Sequence, residues 1–352
     1  MWYNGRGNPE GREGTAVADT ATEKRAGKKI TQPERNPYPF SDSNKRYYTY
    51  DYYLRRTFGG KCAKIPLDAG FSCPNIDGTC GRGGCIYCSG RGSGDFAAPP
   101  TLPLEEQYRL TREQLSRKWQ TDRCIAYFQA HTNTYAPLPV LREKYETALA
   151  LPGVVGLNIA TRADCLPPDV VAYLGQLARR TVLTVELGLQ TTNDDTATRI
   201  GRGHTWAQFC RGFEALRREN EKIGICVHLI FGLPGEDDGM MQESVRQVAK
   251  LHPEQVKIHL LHVLRGTALA EMYLCGDYVP MTRERYIGRV VEALTLLPPD
   301  TVIGRLTGDG MGEALLAPEW SRRKVTVLND IDKALVAEDL WQGCRFFGDL
   351  KK

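Results

Sequence analysis

Short apolar runs and amphipathic stretches alternate along most of this chain. Apolar runs at 63–67, 124–128, 154–159, 182–187, 225–231 and 256–261 each predict a β-strand. Stretches with helical periodicity at 169–179, 206–220, 240–251 and 283–297 predict amphipathic helices. Strand followed by helix at this interval implies a parallel sheet. Six such units are fewer than the eight that close a barrel, and the periodicity alone suits a doubly wound sheet equally well.

The two ends of the chain read differently. Residues 1–36 are rich in Gly, Thr, Lys and Glu with almost no apolar periodicity, which predicts a disordered amino-terminal tail. Order is expected to begin near Pro37, followed by the aromatic run Tyr47-Tyr-Thr-Tyr-Asp-Tyr-Tyr53. Such aromatics can stack on bases, but packing a first helix against the sheet suits this position better. The double proline Pro298-Pro299 marks a boundary, and segments 302–309 and 325–336 beyond it read as a small carboxy-terminal extension. The expected organisation is therefore a tail (1–36), a core domain (37–297) and an extension (298–352).

Composition narrows the class. The chain has 352 residues with 41% hydrophobic and 25% charged positions, ordinary for a globular protein. It carries no apolar stretch of membrane-span length and no apolar signal segment, so a cytoplasmic location and no membrane association are expected. The net charge of +4 is mild, and Arg179-Arg180, Arg217-Arg218 and Arg322-Arg323-Lys324 read as solvated helix faces. Charge permits an RNA partner without arguing for one. Eleven cysteines fit reduced thiols plus a metal centre better than a disulfide framework.

Four of those cysteines crowd into one Gly-rich stretch, Cys73-Pro-Asn-Ile-Asp-Gly-Thr-Cys80-Gly-Arg-Gly-Gly-Cys85-Ile-Tyr-Cys88. Thiolates at CxxC spacing converge on one soft ion or an iron–sulfur cluster. A structural zinc site would use all four, whereas a catalytic cluster would use three and leave one iron open. The cysteines follow the first strand of a long α/β pattern, which favours the cluster.

The segment Cys73-x11-Cys85-Ile-Tyr-Cys88 resembles the cluster loop of radical-SAM proteins, with an aromatic residue between the last two cysteines. The commonest version is CxxxCxxC; the long first gap narrows the resemblance to the YhcC-type family, related to the radical-SAM subunit of Elongator. The resemblance covers roughly residues 37–345 and implies a partial (βα)6 TIM-type barrel with a small carboxy-terminal extension. It implies a 4Fe–4S cluster held by Cys73, Cys85 and Cys88, with Cys80 left over and a Cys80/Cys85/Cys88 set as the alternative. S-adenosylmethionine would chelate the open iron and yield a 5′-deoxyadenosyl radical on one-electron cleavage, fed by a donor such as flavodoxin or ferredoxin.

Further positions are similar to motifs of the oxygen-independent coproporphyrinogen oxidases. Tyr87 takes the aromatic place beside the cluster, and Gln129-Ala130 stands where a glycine pair normally meets the methionyl amino group. Gln190 and Arg202 match a ribose- and carboxylate-binding pair, and His228 a ribose contact. The acidic residue that usually ends the third strand is replaced by Ala160-Thr161-Arg162, and Glu186 is the expected compensation. Buried in an apolar run, Glu186 needs a ligand or an arginine partner. His259 and His262 are candidate substrate contacts, as are Arg305, Thr307 and Asp309. The relatives imply modification of tRNA at the wobble uridine, with a flipped-out base entering the barrel. The alternatives are sulfur insertion or methylthiolation, which needs a second cluster, and a non-catalytic zinc-stabilised RNA-binding module.

Overall fold

The computed structural model describes residues 36–92, 94, 96–117, 120–308 and 312–348; the tail expected at 1–36, apart from Asn36, and Asp309 lie outside them. Helix α1 (Tyr50–Phe58) precedes β1 (Ala63–Leu67), α2 (Leu104–Ser116), β2 (Cys124–Phe128), α3 (Leu138–Leu149) and β3 (Val154–Thr161). There follow α4 (Pro168–Ala178), β4 (Val182–Gln190), α5 (Asp194–Arg199), α6 (Trp206–Glu219), β5 (Gly224–Phe231), α7 (Asp238–Lys250) and β6 (Gln255–Leu260). The last elements are β7 (Val263–Leu264), α8 (Ala268–Leu274), α9 (Arg283–Leu296), β8 (Val302–Arg305), β9 (Leu315–Ala317) and α10 (Lys324–Ala337).

Seven strands pair in parallel in the order β1-β2-β3-β4-β5-β6-β8 and curl into a half-barrel. That is one strand more than the six units expected. The seventh, β8, lies beyond Pro298-Pro299, so residues read as extension complete the main sheet. Its outer edge is covered where the Ile303 N–H donates to the Tyr48 carbonyl at 2.7 Å. A separate antiparallel pair joins β7 to β9.

The period of two along each strand decides what the sheet buries. Ile65, Leu67, Ala126, Phe128, Leu157, Ile159, Val185, Leu187, Val227, Leu229 and Ile258 all join one apolar core under the helices. Each large aliphatic side chain buried there contributes roughly 1.5–3 kcal/mol relative to exposure. The α9 and α10 residues Val290, Leu294, Val327 and Ile331 extend the same core. The opposite face carries the polar residues Lys64, Tyr127, Asn158, Glu186, His228 and Lys257. A closed (βα)8 barrel fills that interior with branched apolar side chains; here it is a polar lumen. At the amino-terminal mouth, Tyr50, Tyr53, Leu54 and Phe58 of α1 pack on Cys62 and Ile125, the packing role expected for the aromatic run.

Strand β4 ends irregularly. Its pairing with β5 slips between Gly188 and Gln190, and Gln190 sits at φ 71°. His131, three residues past β2, is also left-handed at φ 57°. Non-glycine residues held there cost of order 1–3 kcal/mol, and such strain collects at functional sites.

Candidate active site

The loop after β1 carries the cysteines. Cys73, Cys85 and Cys88 line a single cavity at the carboxyl ends of the strands, whereas Cys80 is exposed and lines a different depression. The long gap folds back on itself. Cys80 and Gly81 N–H groups donate to the Pro74 carbonyl, Gly84 N–H donates to the Asn75 carbonyl at 2.9 Å, and Asp77 bridges to Arg82. The chain therefore returns to its starting point before Cys85, and the Cys88 N–H donates to the Cys85 carbonyl at 2.9 Å to close the CxxC turn.

Second-layer contacts fix this loop. The Asn75 amide donates to Gly201 and Arg202 carbonyls at 2.7 and 2.8 Å and reaches the Cys85 sulfur at 3.5 Å. A Cβ at Gly203 would stand 2.2 Å from Asn75 Oδ1, so only glycine allows that approach. Burial pushes the Cys85 thiol up, partly offset by hydrogen bonds from Tyr87 and Asn75. Tyr87 itself packs on an apolar cluster with Ile200, Ile230 and Leu261.

The lumen beneath is organised around one carboxylate. Glu186 is fully buried on β4, and five donors from five other strand positions meet it. Lys64 Nζ lies 2.6 Å and Asn158 Nδ2 2.8 Å from Oε1; Tyr127 Oη lies 2.9 Å and His228 Nε2 3.0 Å from Oε2, which Lys257 also contacts. Burial raises a carboxyl pKa, but Lys257 and Lys64 outweigh it and hold Glu186 well below the usual range. Burial pushes Lys64 down to about 7 against the pull of Glu186. The partner expected for Glu186 is thus present, as two lysines rather than an arginine. Glu186, Cys226 and His228 offer atoms within 4.8 Å of one another. They do not suit a cation: two ammonium groups already neutralise the carboxylate, and burial followed by Glu186 drives the Cys226 thiol up.

The other expected residues divide. Gln129 and Gln190 line the cavity, and among the described residues their amides have no hydrogen-bond partner. His228, His259 and Arg305 line it as well. Ala130 is buried off the cavity wall, with its carbonyl taken by Asn133 Nδ2 at 2.8 Å. Thr307 is buried away from the cavity, and His262 is not on its wall.

Arg202, expected as a cofactor contact, also lines the cavity. Its guanidinium donates to the Leu189 and Thr191 carbonyls, both at 2.5 Å, and twice to the His204 carbonyl at 2.9 and 2.6 Å, with Asp194 at 3.5 Å. All five N–H donors are spent on the protein, so Arg202 clamps the β4 loop to the segment after α5. Sequence reading also missed Arg162, held bidentately by Asp164 at 3.0 and 2.8 Å while donating to the Arg202 carbonyl at 2.6 Å. Lys64, Tyr127, Asn158 and Lys257 were missed too; their signal was a polar residue interrupting an otherwise apolar strand.

These residues fit an iron–sulfur cluster with an open iron. Three thiols share one cavity, a fourth lines another, and two side-chain amides without a hydrogen-bond partner among the described residues line the same cavity at strand ends. Among the described residues, no helix is long and apolar enough to cross a membrane.

Comparison with known proteins agrees. Residues 76–248 match the Radical SAM superfamily and residues 253–337 the Radical_SAM C-terminal domain. Uncharacterized YtqA of Bacillus subtilis is 46% identical over 319 residues, 91% of this chain and 98% of that protein. YhcC of Escherichia coli is 35% identical over 287 residues, 80% of this chain and 90% of that protein. A tRNA uridine(34) acetyltransferase of Methanocaldococcus jannaschii is 29% identical over 159 residues, 44% of this chain and 28% of that protein. The solved structure of Methanocaldococcus infernus Elp3 shares the fold at TM-score 0.59 and 18% identity, over 80% of this chain and 64% of that one.

Proposed function

This chain belongs to the radical SAM superfamily, with YtqA and YhcC, and from that premise we propose that it modifies the side chain of a tRNA wobble uridine. Superfamily members bind a 4Fe–4S cluster and S-adenosylmethionine, which together supply a primary-carbon radical able to take hydrogen from an unactivated C–H bond.

The chain's own residues bind and orient. Cys73, Cys85 and Cys88 hold the cluster as thiolates, and Asn75 and Tyr87 donate hydrogen bonds toward the Cys85 sulfur. Gln129 and Gln190 offer amides to the polar groups of S-adenosylmethionine. Arg162 and Arg202 keep the surrounding loops in register, and the Glu186 network forms a fixed polar floor. The seven-stranded sheet has β1 and β8 as its edges, and its lumen is where a base that has left its stack would be received. An electron carrier such as flavodoxin or ferredoxin delivers the electron.

The observation that carries the radical chemistry is the set of three thiols on one cavity at the strand ends. The uridine assignment is supported by the M. jannaschii relative, whose name states action on tRNA uridine(34). Sulfur insertion is disfavoured because the remaining described cysteines sit singly along the chain, six of them buried or half-buried. The test is anaerobic reconstitution with S-adenosylmethionine and dithionite, following 5′-deoxyadenosine with and without bulk tRNA. Stimulation by tRNA supports the proposal; equal formation in both arms refutes the tRNA reading.

A further inference from the structure

Above the Glu186 network, two imidazoles face the lumen. His228 on β5 and His259 on β6 stand 5.3 Å apart, ring centre to ring centre, and both line the cavity. His228 Nε2 lies 3.0 Å from a Glu186 oxygen. Ionised Glu186 only accepts, so His228 carries its proton at Nε2 and presents Nδ1 as a bare acceptor. His259 Nε2 is buried with no partner among the described residues, and leaving such an atom unpaired costs about 1–3 kcal/mol. Burial, then Lys257, holds His228 down to about 4; burial, then His228, pushes His259 well below its ordinary value. Both rings are therefore neutral near pH 7.

Their surroundings select the ligand. Lys64, Tyr127, Asn158 and Lys257 are all donors committed to Glu186. An anion at this spot would meet the lone pair of His228, and a cation would meet Lys257. A neutral planar group with adjacent N–H and C=O matches instead: its N–H can donate to His228 Nδ1, and its oxygen can accept from the N–H of His259. We infer that His228 and His259 form an imidazole clamp for such an edge on the substrate. Resting on the tRNA reading above, that edge is the N3–H and C4=O of uracil.

The test uses reconstituted holoprotein and two anticodon stem-loop RNAs, one with uridine and one with N3-methyluridine at the wobble position. Binding is measured for wild type, His259→Phe, which keeps the ring shape without nitrogens, and His259→Gln, which restores polar atoms. Iron per chain serves as the folding control. The expected result is about tenfold tighter binding of the uridine RNA by wild type, the worth of a hydrogen bond lost to the methyl group. His259→Phe loses most of that difference and His259→Gln recovers part of it. The clamp is overturned if wild type binds both RNAs equally, or if His259→Phe discriminates as well as wild type. Should bulk tRNA also fail to stimulate 5′-deoxyadenosine formation in wild type, the tRNA reading itself has failed, and the uracil assignment falls with it.

Discussion

Replacing Glu186 with glutamine keeps the size of the side chain and removes the one negative charge of the lumen network. Lys64 and Lys257 then face each other with no counter-ion in a site where Glu186 is fully buried and Lys257 nearly so. Breaking a buried ion pair by removing one partner costs about 3–5 kcal/mol, because the surviving charge stays desolvated. At about 2.1 cal/mol/K per residue, the unit Asn36–Lys352 unfolds with an entropy near 0.65 kcal/mol/K, so Tm should fall by roughly 5–8 °C. Glu186 also opposes the fall of the Lys64 pKa, so its loss drives Lys64 toward the neutral amine. The deficit should therefore shrink as pH rises from 7 to 9, where a buried amine is tolerated uncharged. Melting curves of Glu186→Gln and of Glu186→Gln with Lys257→Met test this directly. The second substitution should recover stability by removing the orphaned charge. A Tm within 1 °C of wild type for the single variant, or a further drop in the double one, would refute the electrostatic account of the floor.

Cys73→Ala, Cys85→Ala and Cys88→Ala should each lose iron and the brown chromophore on reconstitution, while Cys80→Ala retains both; the opposite result for Cys80 and Cys73 would reverse the ligand set. Arg202→Lys should lower stability even without cofactors, by about 2–3 kcal/mol, since an ammonium cannot hold three carbonyls in a fork; an unchanged melting curve would refute the clamp. Burial pushes Glu236 up to about 7, despite a hydrogen bond from Thr191. A carboxyl raised above its unfolded value favours folding while protonated, so its contribution is intact below pH 4.5 and is lost as pH climbs through 7. Glu236→Gln should therefore melt above wild type at pH 8 and not at pH 4.5, and equal increments at the two values would contradict the assignment.

How much of this was legible in the sequence follows the chemistry of each position. The bounds of β1 and β2 were readable because their outward residues are uniformly apolar. Strands β3 and β4 run two to three residues past their apolar signal, to Thr161 and Gln190. There the backbone ladder continues while side chains turn polar to serve the site. Strand β8 was visible as a run, but its place beside β6 depends on pairing partners far away in sequence, including Tyr48. The carbonyls gathered around Arg202 were not legible, because spacing reports where a guanidinium sits and says nothing of what folds around it. The Glu186 network was half-legible: the cost of burying a lone carboxylate demanded a partner, but the two lysines lie 122 and 71 residues away.

The excursion between Cys73 and Cys85 has a consequence for how such chains are recognised. Because Pro74 and Asn75 are tied back to Cys80, Gly81 and Gly84, the intervening hairpin is a detachable ornament on a loop whose two ends already touch. Its length can drift by insertion and deletion while the three sulfurs keep their geometry. A search keyed to a fixed cysteine interval will therefore overlook members of this kind. What fixes the sulfurs in this chain is the closing Cys85-Ile-Tyr-Cys88 turn together with Asn75, two residues after the first cysteine, which ties the loop to the segment after α5.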